Sequence, residues 1–153
     1  MPPYALAWTP FGIFAAGCDK RAVVYTKDGR VLQQFDDSKD ANEKEFTVAA
    51  CNPTGQTVIV GSFNRLRIYT WSPRKGLFEE AEPKELTNLY TITSMAWKRD
   101  GSKVAIGNLT GCVDLFDCSL KKQMYKGKFE LTHVGSSQVI IIYSELMFHL
   151  HNE

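Results

Sequence analysis

Apolar residues come along this chain in short bursts of four to seven, rich in Val, Ile and aromatic side chains and separated by Gly, Pro, Asn and Asp. That is the pattern of strands joined by turns. The bursts cover residues 4–8, 13–16, 22–25, 31–35, 46–51, 57–60, 66–71, 92–97, 103–106, 112–116 and 123–129. No segment carries a long stripe at helical spacing, so an all-β chain is predicted.

The bursts superpose on one another in three copies. The first copy reads Leu6-Ala7-Trp8-Thr9-Pro10-Phe11-Gly12, the second Ala49-Ala50-Cys51-Asn52-Pro53-Thr54-Gly55 and the third Met95-Ala96-Trp97-Lys98-Arg99-Asp100-Gly101. A second glycine follows in each, Gly17, Gly61 or Gly107, and then an aromatic, Tyr25, Tyr69 or Phe116. The turn glycines Gly12, Gly55 and Gly101 recur after 43 and then 46 residues, close to the length of a four-stranded propeller blade. Small residues suit the inner strands, where blades converge, and Ala7, Ala15, Ala16, Ala49, Ala50, Ala96 and Ala105 stand there. The expected fold is an open arc of a WD40-type β-propeller with about three four-stranded blades, near residues 4–36, 46–87 and 92–132. Residues 1–142 form the partial propeller and 143–153 a divergent tail. An antiparallel sandwich is the competing architecture, and it lacks a reason to repeat this series three times.

The repeats are degenerate. The Trp-Asp ending appears only as Phe116-Asp117, with Tyr25-Thr26 and Tyr69-Thr70 in the other copies, and no Gly-His pair opens a blade. Asp19 and Asn64 stand at or beside the turn-Asp position, so packing is expected to carry more of the blade stability. Three blades leave edges and faces uncovered, which predicts self-association through the open propeller and a half-covered face over residues 4–8.

Composition narrows the function. The chain has 153 residues, 44% of them apolar, and 18 Lys plus Arg against 17 Asp plus Glu leave a net charge of +1. That is enough chain for one core, without the basic field of a nucleic-acid binder. Cys18, Cys51, Cys112 and Cys118 form no CxxC pair, which reads as reduced thiols in an intracellular protein. Burial in strands is expected for Cys51 and Cys112. Neither a signal sequence nor an apolar run long enough to span a membrane is present, so the chain is read as not secreted.

Candidate chemistry is sparse. Lys121, Lys122, Lys126 and Lys128 surround Tyr125 and Phe129, a grouping that suits an anionic lipid head group, a tubulin tail or single-stranded RNA; a solvated outer strand is the plainer reading. Trp71 precedes Ser72-Pro73 and is a candidate rim contact, with core burial as its alternative. Acidic loops at Asp36, Asp37, Asp40, Glu43 and Glu45 and at Glu79, Glu80, Glu82 and Glu85 fall between blades, where partner contact and solubility are both served. His149 and His151 make an incomplete metal set, and His133 stands alone. No cysteine has a local base, and the chain contains no G-x-S-x-G, phosphate loop or H-E-x-x-H. No catalytic, metal or cofactor site is expected, and no cofactor.

Longer stretches carry a more specific resemblance. Residues 7–21 (AWTPFGIFAAGCDKR), 61–67 (GSFNRLR), 83–93 (PKELTNLYTIT), 96–101 (AWKRDG) and 128–132 (KFELT) resemble the amino-terminal WD propeller of the intraflagellar transport protein 172 family, over roughly residues 4–142. The resemblance implies a non-enzymatic scaffold in intraflagellar transport complex B, acting in cilium assembly and maintenance. It implies other complex B subunits as partners and residence in the cilium, at its base and in the cytoplasm. It offers no catalytic residues, and no specific nucleic acid is expected. The lysine cluster keeps a lipid- or RNA-binding module as the alternative, and with it any membrane contact. The family's helical solenoid has no counterpart here, so a fragment or short splice product is expected.

Overall fold

The computed structural model describes residues 2–87 and 89–118 in full, and beyond them the backbone of three further strands. The fold is all-β: among the described residues there is no helix. The chain falls into two compact units, Met1–Asp117 and Cys118–Glu153.

The first unit holds three antiparallel sheets. β1 (Pro3–Trp8), β2 (Ile13–Gly17), β3 (Arg21–Tyr25) and β4 (Val31–Asp36) pair in chain order. β5 (Val48–Cys51), β6 (Thr57–Gly61), β7 (Arg65–Ser72) and β8 (Leu77–Glu80) repeat that meander, and the two-residue β9 (Lys84–Glu85) adds to β7 beyond β8. The third sheet contains β10 (Ile92–Trp97), β11 (Lys103–Asn108) and β12 (Val113–Asp117). In the second unit β13 (Lys121–Tyr125), β14 (Phe129–His133) and β15 (Val139–Tyr143) form a sheet of their own. The burst at 123–129 is therefore two strands rather than one, with Tyr125 opposite Phe129 across the pair.

Strand alternation decides what each sheet buries. In β1, Ala5 and Ala7 point inward while Tyr4, Leu6 and Trp8 point out. Ala7 pairs with Phe14 and Phe14 with Val24, so one face of the first sheet carries Ala7, Phe14 and Val24 in a row. That face meets the second sheet at Cys51, Val58, Tyr69 and Phe78 in one core. Rings fill the junction: Phe14 meets Phe78 edge-on at 4.7 Å, and Phe35 meets Tyr69 at 4.6 Å. Burying several such side chains is worth about 2 kcal/mol each. The inner strand β5 packs between β1 and β10, which is why alanines are kept there.

The turns lock together as well. Gly55 adopts φ +76°, and a Cβ built on it would lie 2.2 Å from Cδ of Pro10. The same relation recurs one copy later, where the Cβ position of Gly101 approaches Cδ of Pro53 at 3.6 Å. Each turn proline therefore seats against the turn glycine of the following copy. Thr9 stabilises its own turn: its hydroxyl donates to the Gly12 carbonyl at 2.8 Å and accepts from the Gly12 amide.

Candidate functional site

Between the first and second sheets lies a cluster of charges. Arg67 on β7 points toward the first sheet and is only 5% exposed. The chain leaving β4 runs across it and brings carboxylates to each nitrogen. Arg67 Nε donates to Glu43 at 2.7 Å, Nη1 reaches Asp37 at 2.9 Å and Glu80 at 2.7 Å, and Nη2 reaches Asp40 at 3.3 Å. Arg65 adds a 2.8 Å contact to Asp40. Glu43 is 0% exposed and also accepts from the Ser62 hydroxyl at 2.6 Å. A planar guanidinium with fixed forks suits such an arrangement, and a lysine would not.

The charges set one another's proton affinities. Burial of Arg67 works against its charge, but hydrogen bonds to Glu80 and Glu43 and the charges of Asp37 and Glu43 outweigh it and raise its pKa. Asp37 is pushed up to about 6, first by burial and then by the Glu80 charge, with Arg67 opposing. Burial, followed by the charges of Glu80 and Asp37, also raises the Tyr69 hydroxyl. Asp37 Oδ2 and the Tyr69 hydroxyl are buried without a hydrogen-bond partner among the described residues.

Beyond this cluster, the unit presents two open sheet faces. On the first sheet, Leu6 and Trp8 are 61% and 70% exposed, with Val31 also outside and Ile13 and Tyr25 half-buried. On the third, Val113 and Leu115 are 69% and 70% exposed, beside Ala96 and the half-buried Ala105. Contiguous apolar surface of this kind marks interaction sites. Two shallow depressions, each of about 470 Å³, lie at the sheet margins; one is bordered by Glu85, Leu89, Asn108 and Asp114. Among the described residues, no three His, Cys, Asp or Glu side chains gather as metal ligands would.

The residues singled out in the sequence are scattered across this structure. Trp71 is half-buried, stacked on Phe11 at 4.4 Å with rings 7° from parallel, and it meets Phe78 edge-on at 5.1 Å. Lys121 and Lys122 are on β13, in register with His133 and Thr132. Lys126 and Lys128 lie outside the described residues, as do His149 and His151. Cys51 is half-buried, and burial raises its thiol pKa. Cys112 is exposed, contrary to the expectation of strand burial, because it sits in the turn before β12. Asn64 donates to Glu85 at 3.2 Å. Asn108, which the strand register aligns with Ser62 rather than Asn64, carried no signal in the sequence, yet its side-chain oxygen accepts from the amides of Thr110 and Cys112 and holds that turn. The first acidic loop is the largest departure: Glu43 and Asp37 form part of a buried ion cluster rather than a solvated surface.

Among the described residues, no helix is long and apolar enough to cross a membrane. The fold itself is seen in solved structures of WD40 propeller proteins. Chaetomium thermophilum Sqt1 superposes with a TM-score of 0.62 at 22% identity, over 76% of this chain and 32% of that one. Polycomb repressive complex 2 from the same organism superposes with a TM-score of 0.60 at 13% identity, over 92% of this chain and 37% of that one. Identities this low establish the fold alone. No family model matches the chain.

Similarity in sequence is far higher to one set of proteins. The chain is 59% identical over 140 residues to the Intraflagellar transport protein 172 homolog of Danio rerio and 58% identical to that of Homo sapiens. It is 45% identical over 139 residues to Intraflagellar transport protein 172 of Chlamydomonas reinhardtii. These alignments take in 92%, 92% and 91% of the chain, which spans about 8% of the length of each relative. Placed beside the repeated four-stranded meander and its propeller neighbours, this identity makes the chain a short WD-propeller segment of the intraflagellar transport protein 172 family.

Proposed function

We propose that this segment serves intraflagellar transport as a non-catalytic scaffold, presenting propeller surfaces to other subunits of complex B in the assembly and maintenance of cilia. The observation that supports it most is the 59% identity carried across 92% of the chain. The apolar sheet faces and the absence of a paired acid, base or nucleophile among the described residues fit a binding surface better than an active site. The expected residence is the cilium, its base and the cytoplasm. Trp71, held on Phe11, is proposed to shape the rim on which partners dock rather than to insert into them. Blade limits near residues 4–36, 46–87 and 92–132, with a tail from 143, remain our reading of the repeats. The lysine-cluster alternative gains no support from these relatives.

The experiment is a pull-down with the tagged 153-residue chain from ciliated cells, together with its localisation. Enrichment of complex B subunits and ciliary signal are expected. Recovery of none of them, while a complete propeller of the same family recovers them, would overturn the reading.

A further inference from the structure

Two of the chain's six prolines follow a hydroxyl side chain, in Thr9-Pro10 and Ser72-Pro73. The structure treats the two hydroxyls oppositely. Thr9 is 1% exposed, and its hydroxyl is spent on its own turn, donating to the Gly12 carbonyl and accepting from the amides of Phe11 and Gly12. Ser72 ends β7 at the hairpin to β8, where it pairs with Leu77. Among the described residues its hydroxyl engages no partner, and unlike the Tyr69 hydroxyl it is not sealed from solvent. Pro73, Arg74, Lys75 and Gly76 follow, all exposed, and then Leu77 at 38%. Gly76 takes φ +64° with nothing within 4 Å of its Cβ position, so that side of the turn stands clear.

The tip is held by little. The Ser72 carbonyl accepts from the Lys75 amide at 3.2 Å and from the Gly76 amide at 2.9 Å. Phe78 is the one buried side chain of β8, so the turn above it can open without uncovering the core.

We propose that Ser72 is a phosphorylation site for a proline-directed serine/threonine kinase that also selects a base three residues on. The segment Ser72-Pro73-Arg74-Lys75 carries both features. Pro73 has a fixed φ and no amide hydrogen, so a kinase groove that offers no acceptor there takes proline without loss and leaves the amide of any other residue unpaired. Arg74 and Lys75 complement an acidic kinase surface. Lys75 is 68% exposed in its side chain and pairs at 2.6 Å with Glu79, itself 50% exposed, so it is released at little cost. In the reaction Ser72 Oγ attacks the γ-phosphorus of ATP, forming the new O–P bond as the bond to the β–γ bridging oxygen breaks. ADP leaves, and the serine proton passes to the catalytic carboxylate of the kinase. The product adds about two negative charges beside Arg74 and Lys75. That charge stands one residue from Trp71, held on Phe11 at 4.4 Å. The inference does not depend on the transport role, and failure of the pull-down would leave it standing.

The full chain incubated with ATP and a purified cyclin-dependent kinase bound to its cyclin tests it, read by labelled phosphate and tandem mass spectrometry. A phosphate at Ser72 is expected, with Thr9 unmodified because its hydroxyl is sealed in the folded chain. Circular dichroism is expected to show the same β signal before and after labelling. Ser72→Ala is expected to abolish incorporation. Pro73→Ala and Lys75→Ala are each expected to lower kcat/KM at least about tenfold, the scale of one unpaired or lost polar contact. The chain isolated from cultured cells is expected to carry phosphate at Ser72, lost when proline-directed kinases are inhibited. Phosphate on Thr9 with Ser72 unmodified, loss of the β signal on labelling, an unchanged rate for either alanine variant, or no phosphate at Ser72 in cells would each overturn the proposal.

Discussion

Replacing Arg67 with Met removes the guanidinium and keeps most of the stem that packs between the first and second sheets. Among the described residues Glu43, 0% exposed, then keeps the Ser62 hydroxyl and the Lys44 amide as donors for its carboxylate. Glu80 and Asp37 lose contacts of 2.7 and 2.9 Å at the same time. Removing one partner of a buried pair costs about 3–5 kcal/mol, chiefly because the other charge stays buried and uncompensated. That is a large part of the roughly 5–15 kcal/mol that holds a domain folded. With a urea dependence of about 2 kcal/mol per molar, a loss of about 4 kcal/mol lowers the midpoint by about 2 M. Urea titration followed by tryptophan fluorescence reads this directly. Adding Glu43→Gln to Arg67→Met should recover about half of the loss, since the stranded charge is gone. A midpoint shift equivalent to less than about 1 kcal/mol, the scale of a solvated surface pair, would refute the claim that the cluster is sealed between sheets. So would a Glu43→Gln effect that adds fully to that of Arg67→Met.

Further expectations concern the same junction. Because folding raises the Asp37 pKa from 3.8 to about 6, its contribution to stability is complete below the unfolded value and is lost as pH rises through about 6. Asp37→Asn should therefore remove a fall in stability between about pH 4 and 6, measured as the denaturation midpoint across that range. Tyr69→Phe removes a buried hydroxyl that has no partner among the described residues and should raise the midpoint by the equivalent of about 1 kcal/mol. A lower midpoint would show that the hydroxyl is satisfied. Gly55→Ala should cost more than the roughly 1–2 kcal/mol of a left-handed non-glycine residue, because its Cβ meets Pro10. Gly29→Ala, at φ +80° with nothing within 4 Å, should cost only that backbone penalty. Equal thermal shifts for the two alanine variants would mean the turns do not touch.

Much of the architecture was legible before any coordinates. The period of the turn glycines, the alanines of the inner strands and the aromatics Tyr25, Tyr69 and Phe116 marked three copies of one meander, and the register places those aromatics at equivalent points. The strand β8 carries only one buried side chain, Phe78, and made no apolar burst of its own. The half-covered face over residues 4–8 was expected from the number of blades, and β1 shows it as an alternation of exposed Tyr4, Leu6 and Trp8 with buried Ala5 and Ala7.

The charged cluster was not legible. Asp37, Asp40 and Glu43 lie in a loop that looks solvated, and Arg67 sits in a strand where an alternating pattern merely tolerates it. Their meeting spans 24 residues or more of chain, and ion pairing has no periodicity from which to infer it. Repeats, turns and strand faces are determined locally, by glycine conformations and by the two-residue alternation of a pleated strand, so the sequence by itself determined them. Which apolar face is covered, which carboxylate is stripped of water and which proline meets which glycine depend on elements distant in the chain converging, and those only the tertiary structure decided.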